Sequence, residues 1–133
     1  MTSKVTYLGE LRTENLHLKS GDTYTTDAPL DNNGKGEAFS PTDTVATGLA
    51  NCMLTVMGIK ARQMAVDMAG TTAEVTKTMA SEPRRIAKIE IVINFPFDTD
   101  EKTKKILQHT AETCPVIYSL HPDIQNVVAF NWK

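Results

Sequence analysis

Apolar and polar residues alternate along this chain with a period that changes several times, and each change marks an element. From Lys4 to Asp27, the residues Tyr7, Leu11, Leu16, Leu18 and Tyr24 alternate loosely with polar neighbours. That pattern predicts strands joined by short turns, with a tight turn at Ser20-Gly21-Asp22. Residues 28–39 carry Pro29, Asn32, Asn33, Gly34 and Gly36 without any period, and read as a polar connection: a lid, a segment crossing to a dimer partner, or a plain linker. A helix then opens at Ser40, a good N-cap, with Pro41 at the first helical position and Asp43 at the third, and runs to about Met64. Val45, Leu49, Cys52, Val56 and Ile59 recur on one face at helical spacing, while Ala46, Leu54 and Met57 occupy the other side. Such a helix is apolar nearly all round and must be covered on most sides. Ala46, Gly48, Ala50 and Gly58 are small enough to let another backbone approach. One chain this short would struggle to wrap the helix, so a partner subunit is expected.

Residues 66–79 and 85–95 form the two best strands, with β-branched Ile86, Ile89, Ile91 and Ile93 in the second and Ser81-Glu82-Pro83 as a hairpin turn between them. Pro96-Phe97-Asp98 ends that strand. Residues 100–113 predict an amphipathic helix with Ile106 and Leu107 inward and Lys102, Lys104 and Lys105 outward, its acidic start matched to the helix dipole. Cys114-Pro115 follows at once, opening a short helix to about Leu120. His121-Pro122-Asp123 is a turn, and residues 124–132 are a closing strand in which Trp132 is the anchor. Strands, helix, strands, helix and strand in this order predict an α+β class and one domain over residues 1–133.

Composition narrows the function classes. The chain has 133 residues, 41% of them hydrophobic and 6% aromatic, which points to an aliphatic, methionine-rich core. A net charge of −2 provides no basic footprint for nucleic acid. The N-terminus lacks the apolar stretch of a signal peptide, and no run reaches the roughly 18 apolar residues of a membrane span. The expected setting is therefore cytoplasmic, where two cysteines are more often reduced, metal-bound or catalytic than a structural disulfide.

Those cysteines are the candidate chemistry. Cys52 sits in a helix with no charged residue from Thr44 to Ile59, and Cys114 follows 62 residues later in Thr113-Cys114-Pro115-Val116. Either both are small buried hydrophobes, or the fold brings them together as a redox pair, the reading favoured here. A metal site is not expected: four ligands at finger-like spacing are absent, and His17, His109 and His121 are scattered. A redox-active Cys52 lies too deep in its helix for the N-terminal dipole to help and needs a cation beside it, for which arginine is best suited. Arg62 is ten residues further along the same helix, about 15 Å away. Arg84 and Arg85 follow a proline at a turn and are expected in solvent. Arg12, in Gly9-Glu10-Leu11-Arg12, remains, the alternative being a solvated strand arginine.

The segment Gly34-Lys35-Gly36-Glu37-Ala38-Phe39-Ser40-Pro41-Thr42-Asp43, followed by Ala50-Asn51-Cys52, resembles the signature of the OsmC/Ohr family, the osmotically inducible protein C and organic hydroperoxide resistance proteins. Cys114-Pro115-Val116 is similar to its second cysteine motif, and Arg12 with Thr26-Asp27-Ala28-Pro29 looks like its opening strands. The resemblance implies an OsmC-like fold, antiparallel sheets wrapped around central helices in an intertwined homodimer, with sites at the subunit interface. It implies a stress-response oxidoreductase, an antioxidant peroxidase that reduces organic hydroperoxides without a bound cofactor. Cys52 would be the nucleophile held by Arg12, Cys114 its disulfide partner, and an external dithiol of lipoyl type the reductant. Leu49, Met53 and Val56 would form apolar walls for the substrate. The family's peroxidase branch places a glutamate after the helix-opening proline to hold the arginine; here that position is Thr42, and Asp43 is nine residues from Cys52, on the opposite helix face. Asp43 is therefore read as a capping-box partner of Ser40, leaving Glu10, Glu14, Glu37 or no residue to hold Arg12. Two other functions remain open: a binding module for a small apolar or thiol-reactive ligand between subunits, and a structural protein whose cysteines fill its core.

Overall fold

The computed structural model describes residues 1–133, which divide into two compact units, Met1–Val45 and Ala46–Lys133. The first holds a three-stranded antiparallel sheet, β1 (Ser3–Gly9), β2 (Arg12–His17) and β3 (Thr23–Asp27), in that spatial order. The predicted polar connection is ordered by short-range contacts. Leu30–Asn32 form a 3-10 turn, Thr26 bridges Phe39 in parallel, and the Asp27 N–H donates to the Phe39 carbonyl at 2.9 Å. Gly34 passes so close to Ala28 that a Cβ there would lie 1.7 Å from the Ala28 oxygen, so no larger residue fits.

Helix α1 (Pro41–Gln63) starts where the sequence places it. The Asp43 N–H donates to Ser40 Oγ at 3.0 Å, and the Ser40 N–H donates to Asp43 Oδ2 at 2.9 Å, a reciprocal capping box. By length and composition α1 could also cross a membrane, a test that core helices of soluble proteins pass as well. Its buried stripe differs from expectation. Ala46, Leu49, Ala50, Met53, Met57 and Ala61 are buried, whereas Val45 and Ile59 of the predicted face are 44% and 57% exposed. An all-round apolar helix leaves its orientation to the partners that cover it, and within this chain the small and methionine-bearing side is the one covered.

The second unit continues with β4 (Thr72–Ala80), β5 (Arg85–Asn94), α2 (Glu101–Glu112), α3 (Pro115–Ser119) and β6 (Gln125–Asn131). β4 begins six residues later than predicted, because residues 66–71 turn back after α1, with the Val66 N–H on the Ala61 carbonyl. β4 and β5 form the expected antiparallel hairpin, and β5 is the central strand of the sheet. β6 pairs with β5 in parallel, as a strand returning through a helical crossover can, so this second sheet is mixed. Ile89, Ile91, Ile93 and Phe95 point from the strand into one core cluster with the α1 stripe and with Leu107, Ala111 and Cys114. A bulge leaves Ala87 without a cross-strand partner and pairs Met79 with Ile86, which lets Ile86 join the inward side despite its odd spacing.

On α2, Lys104 departs from the outward position expected of it. Its Nζ lies 2.8 Å from the Asp98 carboxylate and 5.7 Å from the centre of the Trp132 ring. Trp132 in turn stacks on Phe95. Capping also defines this helix, with the Thr103 N–H on Asp100 Oδ1 at 2.7 Å. Because Ser40 is buried and holds the first turn of α1, Ser40→Ala is expected to lower the unfolding free energy by about 1 kcal/mol. The urea midpoint at unchanged slope measures this, and an unchanged midpoint would show that the cap does not support the helix.

Candidate active site

Cys52 lies at the margin of α1, beside the buried stripe. It is half-buried and packs against the core cluster from its edge. Cys114 occupies the joint between α2 and α3. Pro115 disfavours helical dihedrals for the residue before it, and Cys114 accordingly adopts φ −73°, ψ 154° as the N-cap of α3. That break turns its side chain into the core, where it is 0% exposed. The fold brings the two sulfurs, 62 positions apart in sequence, near enough for Cys52 to influence the Cys114 thiol, and both cysteines are free.

Burial raises the Cys114 thiol above its ordinary value of 9.0, since a thiolate loses more hydration than a thiol on entering the core. The Ile117 N–H, and more weakly the Val116 N–H, oppose this by facing the sulfur, although neither closes a regular cap bond; the Cys52 sulfur adds to the rise by hydrogen bonding and by repulsion of like charge. Cys114 is thus held as a thiol near neutral pH.

Arg12 opens β2 in the first unit, directly after Gly9, Glu10 and Leu11, whose φ values of 83°, 56° and 62° are all left-handed. Two consecutive non-glycine residues in that region cost free energy, and the Leu11 N–H is taken up by the Tyr7 hydroxyl at 3.3 Å. The strained turn ends at Arg12, which is half-buried, with a solvent-shielded Nε that has no hydrogen-bond partner. Asp27 stands opposite it in the β2–β3 register. Sequence reasoning considered Glu10, Glu14 and Glu37 beside Arg12, and all three are exposed. It overlooked Asp27, a carboxylate only 1% exposed that accepts the Glu37 N–H at 3.0 Å and so ties down the connection before α1. The only sequence signal for it was an acid closing a strand before Ala28-Pro29.

Asp43 serves the capping box, as read, and Thr42 Oγ1 lies 3.2 Å from Ser40 Oγ. Of the three residues read as substrate walls, Leu49 and Met53 are wholly inside the core. Val56, one turn after Cys52, is half-buried at the core's edge. No three His, Cys, Asp or Glu side chains converge in a way that would hold a metal ion.

Two neighbouring free cysteines, one at the edge of an aliphatic core and one inside it, sit on an α+β scaffold with an antiparallel and a mixed sheet. A profile of the family described as OsmC-like protein matches residues 34–127, and the chain belongs to that OsmC/Ohr family. Among solved structures it is similar to a protein of Psychrobacter arcticus provisionally described as an osmotic stress induced and detoxification response protein, with 60% identity, a TM-score of 0.95, and coverage of 98% of this chain and 95% of that one. The fold is shared with the organic hydroperoxide resistance protein OsmC of Legionella pneumophila, at 13% identity and TM-score 0.76 over 98% and 97% of the chains. It is shared also with the organic hydroperoxide resistance protein OhrB of Bacillus subtilis, at 18% identity and TM-score 0.70 over 98% of each. Among curated proteins none matches.

The raised Cys114 value sets a pH dependence. Below the unfolded thiol value both states are protonated and the full stability is present; it is lost as pH rises through the folded value, because only the unfolded chain ionises freely. Under reducing conditions the urea midpoint is expected to fall above about pH 9, and Cys114→Ala is expected to remove part of that fall. An identical alkaline profile in the variant would contradict the assignment.

Proposed function

We propose that this chain is a cysteine peroxidase that reduces organic hydroperoxides to alcohols. The observation that carries the reading is the proximity of two free thiols, Cys52 half-buried and Cys114 sealed in the core. Support of a second kind comes from the relatives: the 60%-identical one is described by osmotic stress and detoxification, and the fold is shared with organic hydroperoxide resistance proteins.

In the proposed cycle the Cys52 thiolate attacks the terminal peroxide oxygen, the O–O bond breaks, and the alkoxide takes a proton and leaves as an alcohol. Arg12 holds the thiolate and receives the charge that develops on the departing oxygen. Cys52, now a sulfenic acid, is attacked by the Cys114 sulfur; water leaves and a Cys52–Cys114 disulfide remains. An external dithiol, of lipoyl type in this reading, restores both thiols and leaves as a disulfide. No bound cofactor takes part. Val56 borders the approach to Cys52, with Leu49 and Met53 shaping the wall from behind, which favours peroxides carrying apolar groups.

The protein acts in this reading as a homodimer in the cytoplasm, without nucleic-acid or membrane partners. Val5, Tyr7, Leu8 and Tyr24 on the first sheet are more than half exposed, and Val45 and Ile59 leave an apolar line along α1. A second copy covering these surfaces would remove that area from water, and each fully buried side chain would contribute about 1.5–3 kcal/mol. Sedimentation is expected to show twice the 14.6 kDa of one chain, and Tyr7→Glu to shift the equilibrium toward monomer; a monomeric wild type at high concentration would refute the assembly.

Steady-state assays with cumene hydroperoxide and hydrogen peroxide test the chemistry. Cys52→Ser is expected to lose all turnover, Cys114→Ser to consume one equivalent of peroxide and then stop cycling with a dithiol, and Arg12→Ala to lose about 10²–10³ in rate. The bulky peroxide should be the better substrate. A fully active Cys52→Ser would end the proposal, and ligand binding without peroxide consumption would assign the chain to the binding-module alternative.

A further inference from the structure

We propose that the free edge of β6 receives one further strand from a partner protein: an extended segment in which basic residues alternate with apolar ones. The inference stands apart from the peroxidase reading, since the proposed cycle uses none of the residues that line this edge.

β6 ends the spatial order β4-β5-β6, so only one of its sides is paired. The Phe95 N–H donates to the Asn131 carbonyl at 2.9 Å, which turns Asn131 toward β5. Backbone groups alternate sides along a strand. Val127 and Ala129 therefore also face β5, while Asn126, Val128 and Phe130 turn their N–H and C=O outward. Proteins usually blunt such an edge with charge, proline or a bulge. The strand Gln125–Asn131 has no charged residue and no proline, and its register against β5 is unbroken. The other edges are managed: β1 carries Lys4, β4 carries Glu74 and Lys77, and β3 is bridged at Thr26 by Phe39.

A groove of about 550 Å³ lies against this strand, lined by Glu112, Ile117, Asn126, Val127 and Val128. Side chains of an added strand alternate between faces, so one set meets the helix side and the next meets Val127, which is 38% exposed on the outer face. On the helix side stand Ile117 of α3 and Glu112, the last residue of α2 and the only charged residue of the lining. The C-terminal end of α2 adds partial negative charge beside that carboxylate. A lysine or arginine fits this pair, its stem along Ile117 and Val128 and its cation at Glu112. An acidic side chain would be repelled there, and a second copy pairing β6 with β6 would bring no cation to Glu112.

In strand addition the main-chain hydrogen bonds supply affinity, and the alternate side-chain sites supply specificity. Asn126, Val128 and Phe130 each offer one donor and one acceptor, which a segment of about five residues spans. Water competes for every one of these bonds, so each contributes modestly and a short isolated peptide binds at about 1 mM. A segment held extended within a folded partner would bind more tightly, because its ordering cost is already met.

Two end-blocked pentapeptides, Val-Lys-Val-Lys-Val and Val-Glu-Val-Glu-Val, titrated into nitrogen-15-labelled wild-type protein test this. The basic peptide is expected to give saturable amide shifts at Asn126, Val128 and Phe130, with a dissociation constant of about 1 mM. Val128→Pro deletes one outward N–H and leaves the β5 ladder intact; Glu112→Lys reverses the charge of the groove. Each is expected to weaken the basic peptide about fivefold at low salt, and Glu112→Lys to favour the acidic one. Glu112 is exposed, so its variant keeps the test decisive if Val128→Pro fails to fold. No saturable binding up to ~10 mM overturns the proposal. So do equal binding of both peptides by the wild type, shifts confined to another strand, and an unchanged affinity in Glu112→Lys. A concentration-dependent tetramer that shifts the same three amides would assign the edge to a second copy and overturn it as well.

Discussion

The proximity of two cysteines relates the middle of one helix to the break between two others. Each partner is held there for an independent reason. Cys52 follows from the α1 stripe: once Leu49, Met53 and Met57 are inside, a residue one position before Met53 must lie at the edge of the buried face. Cys114 follows from the proline after it, which ends α2 and turns the cysteine inward beside Ala111. β5 supplies the apolar floor of the core cluster to which α1 and α2 both contribute.

The environment of the pair is asymmetric, and the proposed cycle uses that asymmetry. Two identical thiols in identical surroundings would be interchangeable as nucleophile and partner. Here one has solvent on one side and the other has only core around it, with its thiol form favoured by burial. In the proposed cycle the half-buried Cys52 meets the incoming molecule and the buried Cys114 traps its product.

The first unit contributes rigidity where the sequence looks loose. The connection before α1 is rich in glycine and asparagine, yet it is pinned by the buried Asp27 carboxylate, the Thr26–Phe39 bridge and the close passage of Gly34 over Ala28. These contacts deliver Ser40 to the start of α1, where its capping box with Asp43 fixes the first turn. The Asp43 carboxylate is engaged in that cap, so the acid one residue beyond the family's glutamate position has a structural task.

Local chemistry was legible in the residues alone: the capped start of α1, the hairpin of β4 and β5, the proline-opened α3 and the closing strand each rest on neighbours within a few positions. The orientation of α1, the parallel pairing of β6 and the inward turn of Lys104 were not, because each depends on what lies across the core, and an all-round apolar helix or a long aliphatic lysine fits several answers. The sequence by itself determined that two cysteines exist, one in a charge-free helix and one before a proline. Only the tertiary structure decided that they come close and which of them is the more deeply buried, since proximity across 62 residues depends on how helices pack and no local propensity encodes it.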